Sequence, residues 1–182
     1  MSLNTTPSAE RTHIGIFGRR NAGKSSLINA LTGQSLAIVS DVKGTTTDPV
    51  LKAMELLPLG PVVMIDTPGI DDEGNLGSMR VQKAFQILNK TDLALLVIDS
   101  LSGPSHEDAV TLAHIQKKES PFLVVLNKSD QIEDLDHAVQ KAADFLQISK
   151  EKLMTASASS GYHIQELKEA IARLAPKEDD SR

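Results

Sequence analysis

The chain has 182 residues and an apolar fraction of 40%, which fits one folded domain and excludes a disordered or collagen-like protein. Its 19 basic and 24 acidic side chains give a formal net charge of −5, which argues against a domain that mainly neutralises DNA or RNA phosphates but not against one bound nucleotide. There is no cysteine, no apolar run near the roughly 20 residues of a membrane span and no signal-peptide pattern, so we expect a cytoplasmic protein with no membrane partner and no iron–sulfur cluster of its own.

Short β-rich apolar runs alternate with segments of helical periodicity, a pattern typical of an α/β domain with a mainly parallel sheet. The predicted strands are His13–Phe17, Val50–Leu57, Pro61–Asp66, Leu93–Asp99, Phe122–Asn127 and Leu153–Ala156. The predicted helices are Lys24–Leu31, Arg80–Asn89, His106–Gln116, His137–Leu146 and His163–Leu174. Only Pro58, Leu59 and Gly60 separate the second strand from the third. That connection is too short for a crossover helix, so we expect an antiparallel hairpin.

Two connections show neither helical periodicity nor the pattern of a strand and are rich in Gly, Asp, Thr or Ser: Gly33–Pro49 and Thr67–Ser78. Each follows an element that could hold a ligand, so we interpret them as functional loops, with ordinary surface connection as the alternative. We expect residues 1–11 to be an N-terminal extension, residues 12–175 to form the domain, and residues 176–182 to be a tail or the start of a linker to absent domains.

The first predicted strand leads into Gly18-Arg-Arg-Asn-Ala-Gly-Lys-Ser25, the G-x-x-x-x-G-K-[ST] pattern of a P-loop, in its strand-loop-helix context. Glycines let successive backbone N–H groups face phosphate oxygens, and the dipole of the following helix favours the same anion. Lys24 would reach the β- and γ-phosphates, and the Ser25 hydroxyl would ligate magnesium. The predicted nucleotide contacts here are Gly18, Asn21, Ala22, Gly23, Lys24, Ser25 and Ser26.

The third predicted strand ends in Asp66-Thr-Pro-Gly69. A carboxylate at the carboxyl end of a parallel strand can hold the shell of a magnesium ion, and the Gly69 N–H can approach a γ-phosphate. The tetrapeptide therefore predicts the magnesium side of a nucleotide site.

The fifth predicted strand ends in Asn127-Lys-Ser-Asp130. A carboxylate is only an acceptor, so Asp130 can take the N1–H and N2–H donors of guanine, whereas adenine presents an acceptor at N1. The Lys128 stem can cover the base, and a backbone N–H of Ser157, Ala158 or Ser159 can reach the guanine O6. This pattern alone could also be a turn, but with the P-loop upstream it predicts a guanine nucleotide, GTP or GDP.

The sequence thus contains four motifs in order: the P-loop, Asp66-Thr-Pro-Gly69, Asn127-Lys-Ser-Asp130 and Ser157-Ala-Ser159. Together they resemble the translation-factor-like P-loop GTPases over about residues 12–175. The resemblance implies a three-layer α/β/α sandwich of the Ras-like type, with a six-stranded, mostly parallel sheet and one antiparallel strand. Asn21 and Gly44-Thr-Thr-Thr-Asp48 look like the TrmE, Era and EngA branch. That likeness implies Thr46 as a magnesium ligand and Asn21 as a ligand of a potassium ion. Lys24, Thr46 and Gly69 would be the catalytic set.

Hydrolysis of GTP should be slow. Small Ras-like GTPases place a water-orienting glutamine after the Asp-x-x-Gly motif, whereas this chain has Ile70, which cannot form a hydrogen bond through its side chain. A potassium ion at Asn21 could supply the positive charge that an arginine finger provides elsewhere.

A narrower resemblance rests on Gly44-Thr-Thr-Thr-Asp-Pro-Val50, where many members of the branch have arginine at the position of Thr47, and on the run Asp66–Gly77. Both are similar to the HydF family of hydrogenase-maturation GTPases. That resemblance implies other domains of a parent protein, hydrogenase-maturation proteins and a second copy as partners. The net charge of −5 makes nucleic acid an unlikely partner. The alternatives are a GTPase of ribosome assembly or tRNA modification, and a docking module whose hydrolysis is incidental.

Overall fold

The computed structural model describes residues 12–19, 22–33, 50–66 and 86–175. The strands are β1 (Thr12–Gly18), β2 (Val50–Leu56), β3 (Gly60–Asp66), β4 (Leu93–Asp99), β5 (Phe122–Asn127) and β6 (Leu153–Thr155). The helices are α1 (Lys24–Thr32), α2 (His106–Lys117), α3 (Leu135–Leu146) and α4 (Ile164–Leu174). Two 3-10 turns span Ser129–Gln131 and Lys150–Lys152, and residues 86–88 are helical.

The six strands form one sheet in the order β2-β3-β1-β4-β5-β6. The neighbouring pairs β3-β1, β1-β4, β4-β5 and β5-β6 are all parallel. Strand β2 pairs antiparallel with β3, with Leu56 opposite Gly60. The predicted six-stranded sheet with one antiparallel strand is therefore confirmed. Because β1, β3, β4 and β5 are parallel, their carboxyl ends meet at one edge of the sheet, and the predicted motifs follow those ends.

The sheet lies between two apolar layers. All seven residues of the central strand β4 are buried, which explains why this strand reads as a continuous apolar run. One layer includes Leu95 of the sheet with Leu27 of α1 and Leu167 of α4. The other includes Leu96 with Leu112 of α2 and Ala142 of α3. Alternation along β4 thus sends successive side chains into opposite layers and gives the three-layer arrangement.

The helix ends differ from the predictions by one or two residues for local reasons. Helix α3 begins at Leu135 rather than His137, because the side chain of Asp134 accepts a hydrogen bond from the His137 N–H at 3.1 Å and caps the first turn. Most of the predicted helix at 80–89 and of the two candidate loops lies outside the described residues. Within the described part of the chain, no helix is long and apolar enough to cross a membrane.

Candidate guanine-nucleotide site

The P-loop turn joins β1 to α1 and is packed against two other parts of the site. Gly18 has a φ of +145° and Gly23 a φ of +88°. A Cβ at Gly18 would lie 2.4 Å from the Val97 carbonyl oxygen, and one at Gly23 would lie 2.4 Å from Asn127 Nδ2. Both positions thus combine a backbone conformation that favours glycine with a lack of space for any side chain. The glycine spacing of the motif follows from these contacts.

Lys24 is the first residue of α1, and only 6% of it is exposed. Its Nζ donates to the carbonyl oxygens of Gly18 at 2.9 Å and Arg19 at 3.2 Å. The Arg19 carbonyl also accepts from the Ala22 N–H at 3.1 Å. The predicted phosphate-binding ammonium therefore lies within the turn itself, on carbonyl groups for which phosphate oxygens can substitute.

The two predicted magnesium ligands within the described residues lie together. Ser25 Oγ donates to Asp66 Oδ2 at 3.5 Å, although 41 positions separate them in sequence. Ser25 is exposed in the first turn of α1, as is Ser26, and Asp66 is half-buried at the end of β3. A hydroxyl and a carboxylate oxygen are hard ligands that suit a divalent cation such as Mg²⁺, so these residues fit the predicted ion.

Three predicted site residues, Asn21, Thr46 and Gly69, lie outside the described residues. Their assignments to potassium, magnesium and the γ-phosphate therefore stay predictions.

Asn127 joins three segments of the site. It ends β5 and is 1% exposed. Its Nδ2 donates to the Ala22 carbonyl at 3.0 Å and approaches that of Gly23 at 3.5 Å, while its Oδ1 accepts from the Ala158 N–H at 3.1 Å. One buried amide thus fixes the P-loop and the loop after β6 relative to β5. The sequence predicted Asn127 as a nucleotide contact but did not reveal this bracing.

Asp130 is exposed in the 3-10 turn after β5 and is held by a serine from the loop after β6. Ser157 Oγ donates to Asp130 Oδ1 at 2.7 Å and accepts from the Ser160 N–H at 3.2 Å. Ser157 is fully buried, and its own N–H donates to the Tyr162 carbonyl at 3.0 Å. The exposed Ser159 lies next to it, with its hydroxyl 3.2 Å from Ser157 Oγ. The carboxylate predicted to read the base is therefore oriented by a buried side chain.

Lys128 and Ser129 contact the neighbouring strands. Lys128 has a φ of +65°, and its Nζ lies 3.1 Å from Asp99 Oδ2 at the end of β4. Ser129 Oγ donates to the Leu126 carbonyl at 2.7 Å and accepts from the Ala156 N–H at 3.2 Å. Sequence reasoning missed Asp99 and Ser129. The available signal for Asp99 was a carboxylate at the carboxyl end of a buried parallel strand, the same signal that identified Asp66.

Residues 13–128 match the model of a family described as 50S ribosome-binding GTPase. A curated relative, GTPase Der of Wolinella succinogenes, is 37% identical and aligns with 94% of this chain and 37% of its own length. The tRNA modification GTPase MnmE of Helicobacter acinonychis is 34% identical, over 91% of this chain and 36% of its own. The chain thus spans little more than a third of these two relatives.

Solved structures of Era have the same fold. An Era variant from Aquifex aeolicus bound to GDP·AlF4− has a TM-score of 0.77 and 28% identity, over 92% of this chain and 57% of its own. A complex of Era with MgGDPNP and a 16S ribosomal RNA segment has a TM-score of 0.76 and 29% identity, over 92% and 58%. This RNA complex does not support our expectation that nucleic acid is an unlikely partner. The comparisons also give no support to hydrogenase maturation. The chain belongs to the 50S ribosome-binding GTPase family, and it is a guanine-nucleotide-binding P-loop domain of the class that includes the GTP hydrolases Der, MnmE and Era.

Proposed function

We propose that this domain is a GTP-hydrolysing switch that acts in ribosome assembly or tRNA modification in the cytoplasm. The observation that carries the nucleotide part is the pair of bonds by which Asn127 joins the P-loop to the base-reading segment. The RNA setting is supported by the named roles of relatives and neighbours: a tRNA modification GTPase, and Era with a ribosomal RNA segment.

Guanine recognition is assigned to Asp130. Its carboxylate accepts the N1–H and N2–H donors of the base, and Ser157 keeps it oriented through the 2.7 Å bond to Oδ1. The Ala158 N–H, which donates to Asn127 Oδ1, is the loop amide assigned to guanine O6. Lys128 covers the base with its stem while Asp99 holds its ammonium.

The phosphate end is assigned to Lys24, Ser25 and Asp66. Lys24 exchanges the carbonyl groups of Gly18 and Arg19 for β- and γ-phosphate oxygens, which attract its charge more strongly. Ser25 and Asp66 would hold Mg²⁺, which, when bound, neutralises negative charge on the phosphates. Thr46 and Gly69 are the proposed contacts to the ion and the γ-phosphate. Because Ile70 stands in place of a water-orienting glutamine, hydrolysis of GTP is slow.

Calorimetry with GTP, GDP and ATP in magnesium buffer tests this assignment on the chain itself. We expect GTP and GDP to bind and ATP to bind at least about a hundredfold more weakly, because adenine would place an acceptor against Asp130. Phosphate release from GTP should be measurable and should stop when magnesium is chelated. Equal affinity for ATP and GTP would contradict the proposed base recognition.

Potassium stimulation is a separate part of the proposal and has its own test. Asn21 would be one ligand of the ion, which supplies positive charge between the β- and γ-phosphates. Hydrolysis should be faster in potassium chloride than in sodium chloride at equal ionic strength. Asn21→Ala should remove the difference while GDP still binds. Equal rates of the unaltered chain in the two salts would remove potassium from the mechanism.

Hydrogenase maturation is the second candidate, favoured by one sequence observation, the Gly44-Thr-Thr-Thr-Asp48 run with Thr47 where many relatives have arginine. The two candidates are separable in the source organism with a Lys24→Ala substitution in the full-length protein. We expect altered ribosomal subunit profiles or tRNA modification, with normal hydrogenase activity. Lost hydrogenase activity with normal ribosomes and tRNA would favour the second candidate instead.

A further inference from the structure

A buried carboxylate near the start of α2 has no role in the chemistry described so far. Asp108 is 1% exposed. Its Oδ2 accepts from the Ser105 N–H at 2.9 Å and the Ser105 hydroxyl at 3.2 Å. Ser105 Oγ in turn accepts from the Asp108 N–H at 3.3 Å, which completes a capping box. Its Oδ1 is buried and accepts no hydrogen bond from the described residues. A cap needs only one carboxylate oxygen, so burial of the second is a cost that capping does not explain.

Asp108 and part of the P-loop line the same space. A narrow void lies between them, and its lining includes Arg19, Ala22, Asp99 and Asp108. The void is too small for a water molecule, so water cannot satisfy the buried carboxylate there. Arg19, the first variable residue of the P-loop motif, supplies a cation to this lining.

The electrostatics are consistent with a carboxylate that faces this arginine. The pKa of Asp108 is raised, because burial outweighs its hydrogen bonds to Ser105 and the positive charge of Arg19. The same arginine contributes to a lowered pKa at the exposed neighbour Glu107, behind hydrogen bonds to the Glu107 backbone and to Ser105. Asp99, the other acid on the void, already has an ion-pair partner in Lys128.

Arg19 is also part of the turn that holds the phosphate-binding lysine. Its carbonyl oxygen accepts from Lys24 Nζ and from the Ala22 N–H. Any contact that fixes the Arg19 side chain therefore limits where the carbonyl and the Lys24 ammonium can lie. The positive charge of Arg19 also offsets the negative charge of Asp108, which would otherwise oppose the binding of an anionic phosphate nearby.

We propose that Asp108 is a positioning residue for nucleotide binding: its buried carboxylate attracts the Arg19 guanidinium across the void and so limits the conformations of the P-loop. This proposal rests on the nucleotide assignment of the P-loop made above. It makes α2 part of the nucleotide site, although no residue of α2 belongs to a nucleotide-binding motif.

The test is a double-mutant cycle on GDP affinity, measured by calorimetry, with thermal melting of each variant. Asp108→Asn keeps the shape and a capping acceptor but removes the charge. We expect it to weaken GDP binding about tenfold, because the attraction between the two charges is lost, without lowering the melting temperature. Arg19→Gln should cause a similar loss, and the double variant should lose no more than either single one. Glu107→Gln, on the same helical turn but exposed, is the matched control and should bind GDP normally.

Unchanged GDP affinity in Asp108→Asn, or fully additive losses in the double variant, would overturn the proposal. A large fall in the melting temperature of Asp108→Asn would also overturn it, since the carboxylate would then serve the helix cap. Failure of the unaltered chain to bind GDP would instead reject the nucleotide assignment on which the proposal rests.

Discussion

The two ends of the nucleotide site are built differently. At the base-reading edge, comprising Asn127–Asp130 and Ser157–Ser159, three of the side chains that link segments are at most 2% exposed, on Asn127, Ser129 and Ser157. At the phosphate edge, comprising Gly18–Ser25 and Asp66, the main polar groups are an ammonium on loop carbonyls and an exposed hydroxyl 3.5 Å from a carboxylate.

Under the proposed function, this contrast assigns recognition of the base to one edge and the response to the γ-phosphate to the other. Buried, mutually satisfied polar groups hold one geometry, so the base edge can discriminate without rearranging. Bonds from Lys24 and Ser25 can be exchanged for bonds to phosphate and metal, so the phosphate edge can respond to the γ-phosphate. Asn127 connects the two edges, and the predictions below weaken one edge at a time or the link between them.

The largest expected effect comes from Gly23→Ala, which breaks that link. Alanine at a φ of +88° is strained, and its Cβ would lie 2.4 Å from Asn127 Nδ2. We expect the free energy of unfolding to fall by about 2–4 kcal/mol and GDP binding to be lost. Denaturant unfolding and calorimetry measure the two effects.

Gly33→Ala is the matched control for Gly23→Ala. Gly33 ends α1 with a φ of +68°, but among the described residues, its chain neighbours aside, no atom lies within 4 Å of the place that a Cβ would take there. It should show only the strain, about 1–2 kcal/mol, and bind GDP normally. Normal GDP binding by Gly23→Ala would show that the contact between the P-loop and Asn127 is dispensable.

The second prediction tests the base edge alone. Asp130→Asn should bind GTP about tenfold to a hundredfold more weakly, since a charge-assisted pair contributes about 1.5–3 kcal/mol. It should gain affinity for xanthosine triphosphate, whose additional carbonyl suits an amide donor. Competition binding measures both. Glu133→Gln, an exposed acid three residues further on, should change neither, and unaltered GTP affinity in Asp130→Asn would reject Asp130 as the base reader.

The third prediction asks how much the buried support of Asp130 contributes. Ser157→Ala removes the 2.7 Å bond to Asp130 and leaves the Ser160 N–H without its acceptor. We expect GDP affinity to fall about fivefold to tenfold, or about 1–1.4 kcal/mol, because Asp130 itself remains but is no longer held in the orientation that reads the base. Ser159→Ala, which alters an exposed neighbour, should stay within about twofold. Equal effects of the two substitutions would mean that the orientation of Asp130 does not depend on Ser157.

The sequence predicted the elements whose signal is local. Strand β4 is predicted at its observed bounds, Leu93–Asp99, because a strand buried on both faces is apolar at every position before its terminal Asp99. The P-loop is equally local, since its glycines follow from backbone conformation and close packing. Asp130 is predicted to read the base because the chemistry of guanine selects a carboxylate, and this assignment stays a prediction.

The sequence did not predict the contacts that hold the site together. The Asn127 bonds to Ala22 and Ala158 cross more than one hundred and about thirty positions of the chain, and they depend on strand order and loop conformation, which no local pattern encodes. Asp108 resembles an ordinary capping residue in sequence, and only the packing of α2 beside the P-loop distinguishes it.

The smallest expected effect concerns Asp108, behind the phosphate edge, and it changes sign between two adjacent acids. Burial raises the pKa of Asp108 in the fold above its ordinary 3.8, so the fold favours the neutral acid, and this contribution to stability is lost as the pH rises through the folded-state pKa. Asp108→Asn cannot ionise. Its melting temperature relative to the unaltered chain should therefore increase as the pH rises from about 4 to neutrality.

The neighbouring acid Glu107 should behave in the opposite way. The pKa of Glu107 is lowered, so its ionised form adds stability that is lost as the pH falls. Glu107→Gln should therefore show the opposite trend, and a weaker one because Glu107 is exposed. Thermal melts of the three proteins over this pH range measure both trends. If the melting temperatures of the three proteins changed in parallel with pH, neither carboxyl would have a pKa altered by folding. If the melting temperature of Asp108→Asn fell relative to the unaltered chain as the pH rose, the charge of Asp108 would stabilise the native chain more than its burial destabilises it.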